Sequence, residues 1–168
     1  MIIALVVASL MAIATVVIHT VGLVAMISIM GKRKHQIARV TGALRIVTYT
    51  VATVMGLFLI HTIEIWAYAG LYRALGLFTD FEDALYFSTT TFTTLGYGDV
   101  IIESEWRLIA SVEGFNGFLL IGWSTAFLVT VVGRLFRAEI RWIDLLDEDD
   151  NGDEDGDEDT HGHRRPRR

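Results

Sequence analysis

Cysteine is absent from the sequence, and only one proline occurs in 168 residues. The lack of cysteine excludes disulfides and thiolate metal sites, although it does not identify a cellular compartment. Lysine and arginine are absent from the first 31 positions, which form an almost uninterrupted apolar run. A secretory signal peptide would have a basic start and a shorter apolar core. We therefore expect residues 1–31 to be a retained transmembrane helix.

Hydrophobic residues, by contrast, make up 52% of the chain. This share is typical of a membrane protein and not of a globular domain with a polar surface. A helix needs about 20 apolar residues to cross a bilayer, and residues 1–31, 46–68 and 108–133 meet this requirement. The sequence therefore predicts an all-α, multi-pass membrane protein with three transmembrane helices in a lipid bilayer, and the plasma membrane is its expected location.

The distribution of charge predicts the orientation of these helices. Basic residues concentrate in residues 32–45, as they do in cytoplasmic loops, whereas the segments that flank residues 81–92 are mostly acidic. Eleven of the 20 acidic residues lie in residues 144–159, so the net charge of −6 belongs to the C-terminal end. Because of this composition, residues 142–168 are predicted to form an acidic, disordered cytoplasmic tail.

A short helix is predicted over residues 81–92. Asp80 is a suitable N-cap, and Glu82 and Asp83 place negative charge at the positive end of the helix. Twelve residues rise only about 18 Å, which is less than the roughly 30 Å of a bilayer core. This helix must therefore enter the membrane and return, with residues 93–99 as irregular backbone at membrane depth. Such backbone is tolerated only where it is buried in protein or lines a water-filled path.

Residues 93–99 read Thr-Thr-Leu-Gly-Tyr-Gly-Asp. Only Leu95 differs from the TVGYG loop of potassium channels, whose backbone carbonyls replace the hydration shell of the ion. Residues 46–141 therefore resemble the potassium-channel pore family of the two-transmembrane, one-pore type, to which residues 1–31 add a helix. The resemblance implies a tetrameric potassium-channel architecture, that is, a homotetramer with four such loops around one axis, and K⁺ as the permeant ion. It implies no cofactor, no other metal, no catalytic activity and no nucleic-acid partner.

Glycine accounts for part of this pattern. A row of carbonyls that face one axis needs alternating left- and right-handed backbone, and glycine adopts the left-handed form without steric cost. By resemblance, the residues that coordinate the ion are Thr94, Leu95, Gly96, Tyr97 and Gly98. The residues expected to support this selectivity filter are Thr93, Asp99, Tyr86, Phe87 and Thr90. Tyr97 is expected to pack against Tyr86 and Phe87. On the inner helix, Gly117 and Gly122 are candidates for a hinge or for close helix packing.

The two predicted spans of the pore region contain the ionisable residues His61, Glu64 and Glu113. His61 and Glu64 are three residues apart and share a helical face, and counting along the helices places Glu113 at a similar depth. Charges inside a membrane are costly and usually find partners. Three hypotheses stay open, namely a hydrogen-bonded brace, a pH sensor and a metal site made by all three residues. His19 on the first helix is expected to be a packed polar residue.

The predicted function is passive conduction of K⁺ by a potassium-selective channel whose pore loop faces the extracellular side. A non-selective cation channel is the nearest alternative, because a softened filter also passes Na⁺. A membrane-embedded, metal-dependent enzyme that uses His61, Glu64 and Glu113 would leave residues 93–99 without a role. An accessory subunit that joins other pore-forming chains is the third alternative.

Overall fold

The computed structural model describes residues 1–32, 42–102 and 105–154, and for residues 42 and 138–154 it describes the backbone alone. These ranges hold four helices and no strand. They are α1 (Ile2–Lys32), α2 (Gly42–Ala74), α3 (Phe81–Phe92) and α4 (Arg107–Glu154). Three segments are long and apolar enough to cross a membrane, namely Ile2–Lys32, Ala43–Ala74 and Arg107–Arg137. The prediction of an all-helical protein with three such helices is therefore confirmed.

Helix α3 has the bounds that the sequence analysis gives it, residues 81–92. Its N-cap residue, Asp80, has the expected extended backbone with φ −108°, but its side chain makes no capping hydrogen bond. Instead the backbone carbonyl of Asp80 accepts a bond from the Ala84 amide at 3.4 Å. Glu82 and Asp83 lie in the first turn, as expected. Charge at the positive helix end therefore remains as a stabilising feature, without the side-chain cap.

Helix α2 is longer than the predicted residues 46–68. At its C-terminal end Tyr68 and Tyr72 are fully buried, so packing favours continuation of the helix past the aromatic residues that suggest a membrane boundary. The helix ends in a Schellman motif, in which the Gly76 amide donates to the Arg73 carbonyl at 3.1 Å and the Leu77 amide donates to the Tyr72 carbonyl at 3.1 Å. Gly76 has φ +72°, the left-handed conformation that this motif requires.

Helix α4 extends far beyond the predicted residues 108–133 and ends at Glu154. The predicted disorder is therefore wrong for residues 142–154. The sequence holds neither proline nor glycine between Gly133 and Gly152. Nine of the 18 residues there are Ala, Leu, Arg or Glu, which favour a helix, so no strong helix breaker interrupts it. Predictions on residues 155–168, on residues 33–41 of the basic loop and on Glu103 lie outside the described residues.

The short helix α3 packs between α2 and α4, and α1 packs against both of these long helices. The main core lies around α3, where Phe92, Ile109 and Tyr72 are fully buried. Ala8 of α1 belongs to the same core. A second, smaller core joins α1 to α2 through Leu23, Met26, Leu57 and Ile60. Helix α1 is therefore an integral part of the fold.

Candidate functional site

The loop of residues 93–99 begins at the C-terminal end of α3 and bonds back to it. The amides of Leu95 and Gly96 both donate to the Thr90 carbonyl, at 2.9 and 3.0 Å, and the Thr94 amide donates to the Thr91 carbonyl at 3.0 Å. Among the backbone bonds of the described turns and loops, none uses a carbonyl of residues 94–98 as acceptor. The amides are therefore directed toward the helix, and the carbonyls remain available to a ligand.

The backbone of this loop alternates in handedness. Thr94, Gly96 and Gly98 have φ values of +60°, +51° and +77°, so every second residue is left-handed. Alternation of this kind directs successive carbonyls to one side, as a carbonyl-lined filter requires. The two glycines adopt this conformation freely, but for Thr94 it costs roughly 1–2 kcal/mol. The positive φ of Thr94 is not predicted from the sequence, because threonine as a residue type does not indicate a left-handed backbone.

Tyr97 and Leu95 expose 68% and 56% of their surfaces in the single chain. Phe87, an expected partner of Tyr97, packs in the main core of the chain. Its ring centroid lies 5.3 Å from that of Tyr72 and 5.3 Å from that of Phe78. Among the ring contacts of the described residues none joins Phe87 to Tyr97. Phe87 therefore belongs to the core of the chain.

Tyr86 and Asp99, two of the expected supporting residues, are brought together. The Tyr86 hydroxyl donates to Asp99 Oδ2 at 2.8 Å, and Asp99 Oδ1 accepts a bond from the Val100 amide at 3.1 Å. The bond to Asp99 raises the pKa of Tyr86, with burial and the charge of Asp99 as smaller causes. The phenol therefore keeps its proton, and this hydrogen bond ties the C-terminal end of the loop to α3.

The other expected supporting residues, Thr90 and Thr93, act mainly through the end of α3. The Thr90 hydroxyl is buried and donates to the Phe87 carbonyl at 3.0 Å, so the loop is held by the Thr90 carbonyl and not by its side chain. The Thr93 hydroxyl donates to the Thr89 carbonyl at 2.7 Å. Both hydroxyls thus bond to carbonyls near the C-terminal end of α3, and the Thr89 carbonyl also accepts a bond from the Thr93 amide at 3.1 Å.

Of the two hinge candidates on α4, Gly117 and Gly122, only Gly117 has a close neighbour. A Cβ at position 117 would lie 2.2 Å from the Phe92 carbonyl oxygen, whereas a Cβ at Gly122 would meet nothing within 4 Å. Gly117 therefore lets α4 approach the last turn of α3, directly before the loop. Within the subunit this contact supports the close-packing hypothesis for Gly117, and Gly122 has no comparable contact.

Glu113 joins the three helices that surround the loop. Its carboxyl accepts hydrogen bonds from the Tyr72 hydroxyl and from the Ser88 hydroxyl, both at 2.5 Å. The Ser88 hydroxyl also lies 2.9 Å from the Ile65 carbonyl. Because Tyr72, Ser88 and Glu113 come from α2, α3 and α4, their bonds form a brace of the kind that the sequence suggests.

A second group combines four side chains of α1, α2 and α4. Glu64 Oε1 lies 2.9 Å from His19 Nδ1, and Glu64 Oε2 lies 2.8 Å from His61 Nδ1. The other ring nitrogens meet at Ser124, whose Oγ lies 2.9 Å from His61 Nε2 and 3.4 Å from His19 Nε2. His19, Glu64 and Ser124 are buried, and the His61 side chain is 17% exposed. We call these four residues the histidine ring.

The structure thus brings His61 and Glu64 together but separates Glu113 from them. His19, and not Glu113, is the third ionisable residue beside His61 and Glu64. From the sequence, His19 is expected to be only a packed polar residue. Its partners depend on the register in which α1 docks on α2. The only signal in the sequence is a lone histidine within an otherwise apolar helix, since buried ionisable groups usually have partners.

Residues 58–134 match the family model described as "Ion channel". The matched segment contains the C-terminal half of α2, all of α3, the loop, and α4 as far as Arg134. No match was found among curated proteins or among solved structures. Together with the three membrane-length helices, the family match supports an ion channel in a lipid bilayer. It also speaks against an enzyme that uses His61, Glu64 and Glu113.

Proposed function

We propose that the protein is a potassium-selective channel that conducts K⁺ passively through the loop of residues 93–99. The observation that carries this proposal is the alternation of positive φ at Thr94, Gly96 and Gly98. It occurs in a loop whose amides bond to the end of α3 and whose carbonyls accept no such bond. A row of carbonyl oxygens replaces the hydration shell of K⁺.

Helix α3 adds an electrostatic contribution. Its C-terminal end lies directly before the loop, and the partial negative charge of a helix C-terminus favours a cation nearby. Its acidic first turn lies at the opposite end. In this proposal the acidic end of α3 and the outer end of the loop at Asp99 face the extracellular side of the plasma membrane. The C-terminal residues then lie in the cytoplasm.

The working unit in this proposal is a homotetramer. One subunit provides one loop, which contacts an ion from one side alone, and four copies are needed to surround it. The exposure of Tyr97 and Leu95 in the single subunit supports this arrangement, since a neighbouring subunit can cover both side chains. Tyr97 then braces the filter against another subunit and not against Phe87 of its own chain.

A liposome flux assay tests the proposal. The purified protein is reconstituted into vesicles loaded with K⁺, and K⁺ efflux is followed with valinomycin as the positive control. We expect efflux from wild type and its loss in Gly96→Ala, because alanine cannot adopt φ +51° without strain. Gly122→Ala is the matched control, since a Cβ there meets nothing within 4 Å.

The other outcomes separate the alternatives. Equal efflux of K⁺ and Na⁺ would favour the non-selective cation channel and would point to Leu95, the residue that departs from the potassium-channel loop. Efflux that persists in Gly96→Ala would contradict conduction through the loop. A chain that forms no tetramer by mass in detergent and conducts nothing would favour an accessory subunit.

A further inference from the structure

The histidine ring has four hydrogen-bonded edges, and each edge needs one proton. The edges join Glu64 to His19, Glu64 to His61, and Ser124 to each of the two histidines. An ionised Glu64, two neutral imidazoles and one hydroxyl supply three protons between them. In that state one edge has no proton, and two lone pairs face each other inside the protein. An additional cation would resolve this deficit.

We propose that His19, His61 and Glu64 bind a divalent transition-metal ion of the Zn²⁺ class. One ligand atom from each residue can be chosen so that all three lie within 4.8 Å of one another. Two imidazole nitrogens and one carboxylate oxygen form a donor set that Zn²⁺ uses in proteins, at about 2.0–2.2 Å from the ion. A small inward shift of the three side chains brings them to these distances.

The proton balance of the ring fits this site. When the metal binds both Nδ1 atoms, each neutral imidazole carries its single proton on Nε2. Both Nε2 atoms lie within hydrogen-bond distance of Ser124 Oγ, and a hydroxyl oxygen has two lone pairs to accept their protons. The ring thus changes tautomers without losing a proton. Ser124 supplies the outer hydrogen bonds that orient metal-binding histidines.

A cavity of about 340 Å³ borders the site at His61. It is lined by His61, Thr89, Phe92 and Thr93 among others, and His61 is the partly exposed member of the ring. A water molecule can reach the metal from this side as a fourth ligand. The ion would link α1 to α2 directly and to α4 through Ser124. This assignment concerns binding and does not depend on conduction.

Cobalt binding provides the test. The full chain is purified in detergent with His161→Ala and His163→Ala, because these tail histidines could bind metal independently. After chelation it is titrated with Co²⁺, whose visible absorption is strong in a tetrahedral site and weak in an octahedral carboxylate site. We expect one strongly absorbing Co²⁺ per subunit, displaced by an equivalent of Zn²⁺. Glu64→Gln and His19→Gln should abolish the strong band.

Two further variants define the site. Ser124→Ala should weaken metal affinity by roughly 10- to 100-fold, as removal of outer hydrogen bonds to metal ligands does. Glu105→Gln, which changes an exposed carboxylate paired with the N-terminus at 3.5 Å, is the matched control and should bind as wild type. Oligomer mass and helical circular dichroism show whether each variant has folded.

His61→Cys keeps a metal ligand at the same place and therefore tests the site even if the glutamine variants misfold. A thiolate ligand adds a near-ultraviolet charge-transfer band to the bound Co²⁺. Appearance of this band would place the ion at position 61. Three results would overturn the proposal. The first is absence of the strong visible band when the protein with an intact site is titrated, and the second is persistence of that band in a folded Glu64→Gln variant. The third is a Co²⁺ complex of His61→Cys that lacks the thiolate band. The histidine ring would then be a hydrogen-bonded brace.

Discussion

Replacement of Gly117 by alanine should push α4 away from the end of α3 and disturb the loop that follows. The added Cβ would lie 2.2 Å from the Phe92 carbonyl oxygen and 2.9 Å from its carbonyl carbon. Real Cβ atoms do not approach other atoms closer than about 3.0 Å, so the contact must open by several tenths of an ångström. The obstacle is backbone, which cannot change rotamer to relieve the overlap.

Overpacking of this kind costs about 1–3 kcal/mol, and a shift of Phe92 moves the residues that precede Thr94. We therefore expect Gly117→Ala to lower the thermal unfolding midpoint in detergent and to reduce K⁺ efflux from vesicles. Gly122→Ala, on the same helix, should leave the midpoint equal or higher, since alanine favours a helix by about 1 kcal/mol over glycine. Equal midpoints and equal efflux for both variants would refute the packing role of Gly117.

Two further predictions concern the hydrogen bonds around the loop. Glu113→Ala leaves the buried Tyr72 hydroxyl without its acceptor, whereas the Ser88 hydroxyl keeps the Ile65 carbonyl at 2.9 Å. The variant should lose roughly 1–3 kcal/mol of stability, measured by thermal unfolding, and Ser88→Ala, which removes one donor to Glu113, should lose less. An unchanged midpoint in Glu113→Ala would contradict the brace. Asp99→Asn should lower the pH at which Tyr86 ionises, because the bond to Asp99 raises the pKa of Tyr86. The ionisation is measured by ultraviolet absorbance, as the difference between titrations with and without Tyr86→Phe. Because the pKa of Tyr86 is raised in the folded state, the contact stabilises the fold at pH values below the pKa of tyrosine in the unfolded chain. The wild type should lose this stabilisation as the pH rises through the pKa of folded Tyr86. An identical titration of Tyr86 in wild type and Asp99→Asn would contradict the contact.

The features that depend on local sequence could be predicted. Residues 81–92 form a helix with the predicted bounds, because an acidic start and a threonine–glycine loop limit it on both sides. The spans follow from runs of apolar residues of membrane length. The glycines of the loop indicate where the backbone becomes left-handed.

The features that depend on helix docking could not be predicted in this way. His19 meets Glu64 across 45 positions of sequence separation, and a nearly uniform apolar helix presents no periodic face that would fix its register. Glu113 is paired with Tyr72 instead of His61, because depth in the membrane does not determine which way a side chain points. The continuation of α4 to Glu154 is not predicted, because the acidic composition of residues 142–154 indicates disorder while their helix propensity permits a helix.

The reversal potential of the reconstituted protein tests potassium selectivity most directly. In a planar bilayer with a tenfold K⁺ gradient and an opposing Na⁺ gradient, a selective filter should reverse near the K⁺ equilibrium potential, about 59 mV in magnitude for a monovalent ion. Gly96→Ala should abolish this potential, and Gly122→Ala should retain it. A clear current that reverses near zero would contradict the account, because the carbonyls of residues 94–98 would then not distinguish K⁺ from Na⁺.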